Sequence, residues 1–378
     1  MSEEMKNLNE QSEETVVETT ETQAEKTAPV AEPPKPQFIE KKPLDKKTIG
    51  IIAGAAVAVL AIVGIILGIV LGGGTPHVHN YVNGVCECGE ADPNYIPPNP
   101  PAEEKTYHLV LVTDAGLGAI SKNKVTNITL AIVFDEDGKI VAAQFDSFEQ
   151  SLKLTDGAII PVDRITTKVE KGAEYTGMNA GSWEEQSTAF ETFIIGKTAA
   201  EVAALNFVVD GADAGLVAGC TMKSSMPVFQ ELVAKAAAYE RKVAFTTAGE
   251  FDLGLAIDAK FTGSVAEGAK VSADFAAVVV SENTVLAAML DSAEASFTYE
   301  GETASVSYSG SKNDLGEDYD KNNIMAAGDW YKQAQAFANS FVGKTVDELA
   351  DLPASGVAGC TVYAGGYKAT LIKAAENA

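Results

Sequence analysis

Residues 181–205, GSWEEQSTAFETFIIGKTAAEVAAL, align without a gap on residues 328–352, GDWYKQAQAFANSFVGKTVDELADL, at an offset of 147. No other feature constrains the 378-residue chain as strongly. The offset carries Trp183 onto Trp330, Gln186 onto Gln333, Phe190 onto Phe337, and Gly196-Lys197-Thr198 onto Gly343-Lys344-Thr345. Downstream, Val217–Thr221 and Val357–Thr361 both read VAGCT; upstream, residues 125–147 match 270–292 more loosely. Solenoid units run about 20–50 residues. Copies as long as 106–240 and 241–378 are therefore duplicated domains.

Each copy begins with strand patterning and ends with helix patterning. Residues 125–134 are apolar and β-branched, Asp135-Glu136-Asp137-Gly138 supplies a hairpin turn, and 139–145 returns as a second strand. Ser182 and Glu185 form a capping box ahead of Trp183, Phe190, Phe193 and Ile194, which follow helical spacing. Gly196 ends that helix, and Thr198 with Glu201 opens a short one; Thr345 and Glu348 repeat the box. A last helix is expected from Met226 to Ala238, with Pro227 suited to its first turn. The expected class is α+β: two tandem copies of a small antiparallel sheet packed with two or three helices, after one transmembrane helix.

The region ahead of the repeats is of another kind. Residues 1–48 are Glu-, Thr- and Pro-rich without apolar periodicity, which predicts a disordered tail. Ile49–Leu71 is an uncharged apolar run of roughly 35 Å as a helix, enough for a bilayer core of about 30 Å. A signal peptide would have a shorter apolar region near the N-terminus. Lys41, Lys42, Lys46 and Lys47 precede the run, so the positive-inside rule places the tail in the cytoplasm and the rest outside, as a single-pass protein of the cell membrane. Residues 75–92 form a His/Cys knuckle, and 93–105 a linker stiffened by prolines at 93, 97, 98, 100 and 101. The net charge of −25 argues against a nucleic-acid partner, since phosphate backbones need a basic surface.

Several motifs offer chemistry. Gly196-Lys197-Thr198 looks like the end of a phosphate-binding loop, but Glu191 and Ala338 stand where the first glycine is needed and a helix precedes. It reads as a helix stop followed by a cap. Trp183 with Phe190, and Trp330 with Phe337, are spaced i, i+7 as core residues of an amphipathic helix are. His77, His79, Cys86 and Cys88 supply two imidazoles and two thiolates, a set that suits a closed, structural zinc site. An inert spacer with oxidised thiols is the equal alternative. His108 has no visible partner and reads as a strand residue.

The last constellation is Gly219, Cys220 and Thr221 with their twins Gly359, Cys360 and Thr361, each in a loop ahead of a final helix whose dipole favours an anion. Together with the hairpin Asp137-Gly138-Lys139-Ile140, this loop resembles the FMN-binding domains of extracytoplasmic bacterial electron-transfer proteins. In that family the loop reads D-(G/A)-x-S-G-A-T. Its threonine carries FMN through a phosphoester installed by a flavin transferase. The resemblance implies Thr221 and Thr361 as acceptors, with Gly219, Gly359, Cys220 and Cys360 beside the cofactor. This chain departs from the motif: Ala218 and Ala358 replace its serine, Cys220 and Cys360 its alanine, and Gly215 and Ser355 its aspartate. A plain turn, with buried cysteine and threonine as a helix cap, is the structural alternative.

Two readings follow. One is an extracellular electron carrier of the bacterial surface, served by a flavin transferase and a membrane quinol oxidoreductase. The other is a cofactor-free surface scaffold or binding protein built from the same repeats. No Ser/His/Asp set or nucleotide loop in the sequence points to a substrate-transforming enzyme.

Overall fold

The computed structural model describes residues 80–82, 85–86, 89–95, 103–114, 117, 120–121, 123–175, 181–205, 217–222, 225–320 and 327–378. The tail expected over 1–48, the span over 49–71, and His77, His79 and Cys88 lie outside the described residues. Among the described residues no helix is long and apolar enough to cross a membrane. The chain divides into two compact units, Met1–Pro97 and Pro98–Ala378. In the first, β1 (Tyr81–Val82) pairs antiparallel with β2 (Val85–Cys86), and the Cys86 N–H donates to the Glu90 carbonyl at 2.8 Å.

The second unit is α+β and holds two antiparallel sheets. Sheet one runs β6–β5–β3–β8, from β3 (Lys105–Thr113), β5 (Lys124–Asp135), β6 (Ile140–Ser151) and β8 (Val243–Thr247). The short β4 (Ile120–Ser121) pairs with the start of β5. Sheet two runs β12–β11–β10–β9–β7, from β7 (Val162–Ile165), β9 (Asp252–Ser264), β10 (Gly268–Ser281), β11 (Thr284–Glu300) and β12 (Thr303–Tyr308). The β5–β6 turn is closed by Asp135, whose carboxylate accepts from the N–H groups of Asp137 and Lys139. Its counterpart between β10 and β11 is tighter: Glu282 and Asn283 sit at φ +47° and +66°, the left-handed pair that a two-residue hairpin requires.

The edge strands cross between the halves of the sequence. β7 falls within 106–240 yet pairs with β9, while β8 falls within 241–378 yet pairs with β3. Each half thus completes the other's sheet, so 106–240 and 241–378 share one compact unit.

Alternation along the strands builds a four-layer stack. Leu109 and Leu111 of β3 join Leu255, Ile257, Phe275 and Phe297 of sheet two in one core between the sheets. Val110 and Val112 face the other way, onto α2 (Trp183–Ile194) and α4 (Met226–Ala238). In sheet two, Ala276, Val278 and Leu290 pack on α6 (Trp330–Asn339) and α7 (Gly365–Glu376). Burial on both faces explains why β3 and β10 read as continuous apolar runs instead of alternating ones. Glycine permits the closest contact: a Cβ at Gly254 of β9 would collide with the Ala374 carbonyl of α7.

The expected helix ends are present. Ser182 caps α2 and Thr198 caps α3 (Ala199–Ala203), each in a capping box with the glutamate three residues on. Thr345 makes the same box, but the segment it opens, Val346–Asp351, is a 3₁₀ turn. Two further short helices were not evident from periodicity: α1 (Lys168–Lys171), capped by Thr167, and α5 (Lys312–Leu315), capped by Ser311. Each is moored by an aspartate at the matching place of the sheet. Asp146 accepts from the Ser147 and Val169 N–H groups, and Asp291 from those of Ser292 and Asn313.

Burial raises Asp146 to about 6 and Asp291 to about 7, against the hydrogen bonds that favour their charge. Asp274, half-buried, is raised to about 6 by desolvation. A carboxyl whose folded pKa exceeds its unfolded one binds more protons when native, so stability falls as pH rises through the folded value. The urea midpoint is therefore expected to drop from pH 5 to pH 8, with a shallower drop in Asp291→Asn. A midpoint that climbs over that window contradicts this.

Candidate functional site

The two VAGCT loops adopt the same geometry. The Cys220 N–H donates to Val217 O at 3.1 Å, and Cys360 N–H to Val357 O at 3.0 Å. Gly219 and Gly359 sit at φ +85° and +81°, where a side chain is strained. A Cβ there would also press on Ala189 of α2 at 3.3 Å or Ala336 of α6 at 3.2 Å. Cys220 and Cys360 are free thiols, 0% and 8% exposed, within the helix-side cores. Burial pushes the Cys220 thiol up, away from the thiolate that redox or metal chemistry needs.

The threonines point elsewhere. Thr221 and Thr361 are both exposed. Gln186 Oε1 accepts from the Thr221 N–H and from its hydroxyl, each at 2.8 Å; Gln333 Oε1 accepts from both donors of Thr361 at 2.9 Å. The other ends of these glutamines reach back, Gln186 Nε2 to Gly181 O and Gln333 Nε2 to Gly328 O. Each buried glutamine thus clasps the loop to the start of its helix. Neither threonine is a helix cap, which corrects that expectation: the N-cap residues are Ser225 and Ala364, and neither makes a side-chain cap. The loops do precede α4 and α7 as expected. Of the departures from the flavin motif, Gly215 lies outside the described residues.

Other motifs resolve differently. Gly196 and Lys197 bond the two sides of Ile140 at the head of β6, with Gly196 N–H to Ile140 O at 2.7 Å and Ile140 N–H to Lys197 O at 2.9 Å. Gly343 and Lys344 do the same for Val285. The repeated GKT is thus a seam between helix end and sheet. Trp183, Phe190, Trp330 and Phe337 are at most 2% exposed and belong to the cores. His108 lies on β3. Of the proposed metal ligands only Cys86 is described, buried on β2. Among the described residues no group of three or more His, Cys, Asp or Glu is placed to hold a metal.

Two cavities of about 430 Å³ each open where β6 and α2 meet β9 and the end of α7, and share Gln144, Glu191 and Asn377. Thr221 and Thr361 line neither. Burial raises Glu191 to about 8 while its carboxylate accepts from the Phe145 N–H at 2.7 Å.

The loops have neighbours that sequence reasoning missed. Lys168 and Lys312 open the short helices α1 and α5, are each 8% exposed, and lay their ammonium groups over aromatic faces. Lys168 Nζ lies 5.6 Å from the Trp183 ring and 5.1 Å from that of Tyr175; Lys312 Nζ lies 5.0 Å from Trp330 and 5.2 Å from Tyr319. The signal was a hydroxyl residue followed by lysine at matching places, Thr167-Lys168 and Ser311-Lys312, in stretches too drifted to align by eye. No protein family, curated protein or solved structure matches this chain.

The clasp predicts a specific loss. Gln333→Leu leaves the Thr361 N–H without its partner, at a cost of about 1–3 kcal/mol, and Gln186→Leu costs a similar amount. Denaturant unfolding checks this; variants as stable as the parent refute the clasp.

Proposed function

We propose that the chain is a membrane-anchored extracytoplasmic flavoprotein that carries electrons on FMN bound by two tandem copies of one domain. The observation that carries this reading is the placement of Thr221 and Thr361. In each VAGCT loop the cysteine is buried and the threonine is an exposed residue whose hydroxyl donates to the buried glutamine. A phosphoester at Oγ would replace the O–H that donates to the glutamine. The N–H bond from the same threonine to Gln186 or Gln333 would remain to hold the loop. FMN would supply the redox chemistry, and the chain its position and electrostatic surroundings. The apolar run Ile49–Leu71 would anchor the protein and the proline-rich linker would hold the domains off the bilayer.

A specific observation favours a second reading, a cofactor-free surface scaffold. The clasp, the positive φ of Gly219 and Gly359 and the buried cysteines account for the identity of the two loops on structural grounds alone. Co-production of the full chain with a flavin transferase separates the two. The flavoprotein reading predicts a yellow protein whose intact mass exceeds that of the sequence by one or two flavin phosphoesters, with Thr221→Ala or Thr361→Ala removing the corresponding increment. A colourless protein of unmodified mass leaves the scaffold.

A further inference from the structure

We infer that the Lys312 ammonium is the receptor for an oxyanion of the phosphate class, in a site that the first half of the chain has closed against itself. The two lysines occupy equivalent places but differ in how their charge is met. Lys168 Nζ pairs with Glu149 Oε1 at 3.2 Å, and the Tyr175 hydroxyl donates to the same oxygen at 3.2 Å. The equivalent glutamate on β11, Glu294, instead pairs with Lys270 at 2.6 Å. Lys312 has one hydrogen bond, to the Tyr367 hydroxyl at 3.4 Å, and pairs with no carboxylate among the described residues.

An ammonium has three N–H donors. Lys312 is 8% exposed, and its ammonium rests on two aromatic faces with a single hydrogen bond, so two of its donors have no bonded acceptor among the described residues. The first half meets its ammonium with Glu149; the second leaves those donors for a partner from outside. At the rim of the cluster Tyr319 is 37% exposed and lies edge-on against Trp330. Asp274 and Glu294 lie within electrostatic range of Lys312 and help to hold its ammonium charged, but neither bonds it. Trp330 stands one helical turn before Gln333, the residue that clasps Thr361. Lys312 and the second loop are thus both held by α6. Under the flavin reading, on which this consequence alone rests, the second copy is the one equipped to hold a phosphorylated ligand.

Inorganic phosphate titrated into the detergent-solubilised full chain, followed by tryptophan emission, tests the receptor without flavin. The wild type is expected to give a saturable change, because a filled Lys312 alters the field on Trp330. Lys312→Met should weaken the response at least tenfold, Lys312→Arg should restore it, and Lys168→Met should leave it unchanged. The absence of a saturable response in the wild type overturns the inference, as does an undiminished one in Lys312→Met. Mapping flavinylated peptides in the transferase-treated chain is the separate arm. Flavin on neither threonine defeats the flavin reading while the phosphate result still decides Lys312. Flavin on Thr221 alone defeats the assignment of the second copy.

Discussion

The structure depends on one constraint: both sheets are apolar on both faces. Helices cover the outer face of each, and among the described residues the inner face of each sheet is covered by the other sheet. Leu109 and Leu111 need Leu255, Ile257 and Phe275, and the reverse holds equally. At about 1.5–3 kcal/mol for each large side chain fully buried, the shared core outweighs any single polar contact in the molecule. Strand exchange at the edges, β7 onto β9 and β8 onto β3, follows from the same closeness and leaves neither half complete without the other.

Within that frame the two halves match more closely in their polar joints than in their strands. The glutamine clasp on VAGCT, the GKT seam, and the aspartate mooring of the short helices all occur twice. Each satisfies buried backbone groups that the sheets and helices leave unpaired, and an unsatisfied one is expensive. Such joints resist drift because both partners must change together, whereas one aliphatic residue replaces another at small cost. The halves differ where a joint was not needed for folding. Lys168 retains its carboxylate partner and Lys312 does not.

Much of this was legible in the sequence. Capping boxes at Ser182 and Thr198 and the bounds of Met226–Ala238 follow from local chemistry, because a cap is specified within four residues. The β5–β6 hairpin was legible from Asp135–Gly138, although β6 runs on to Ser151. The pairings of β7 with β9 and of β8 with β3 were not, since they join segments from about 95 to about 140 residues apart and short strands carry little periodicity. The face-to-face stack was hidden for a related reason: a strand apolar on both sides does not say which neighbour covers which side. Thr221 and Thr361 were singled out by resemblance, but their partners Gln186 and Gln333 read as ordinary polar residues on a helix until the loops were seen folded against them.

The shared core can be tested by cutting the chain. Residues 103–240 and 241–378, produced separately and then mixed, should each remain unfolded or aggregate alone and recover a cooperative unfolding transition together. A monomeric 103–240 fragment that unfolds cooperatively by itself would contradict the account, because its inner sheet face would then need no cover from the other half.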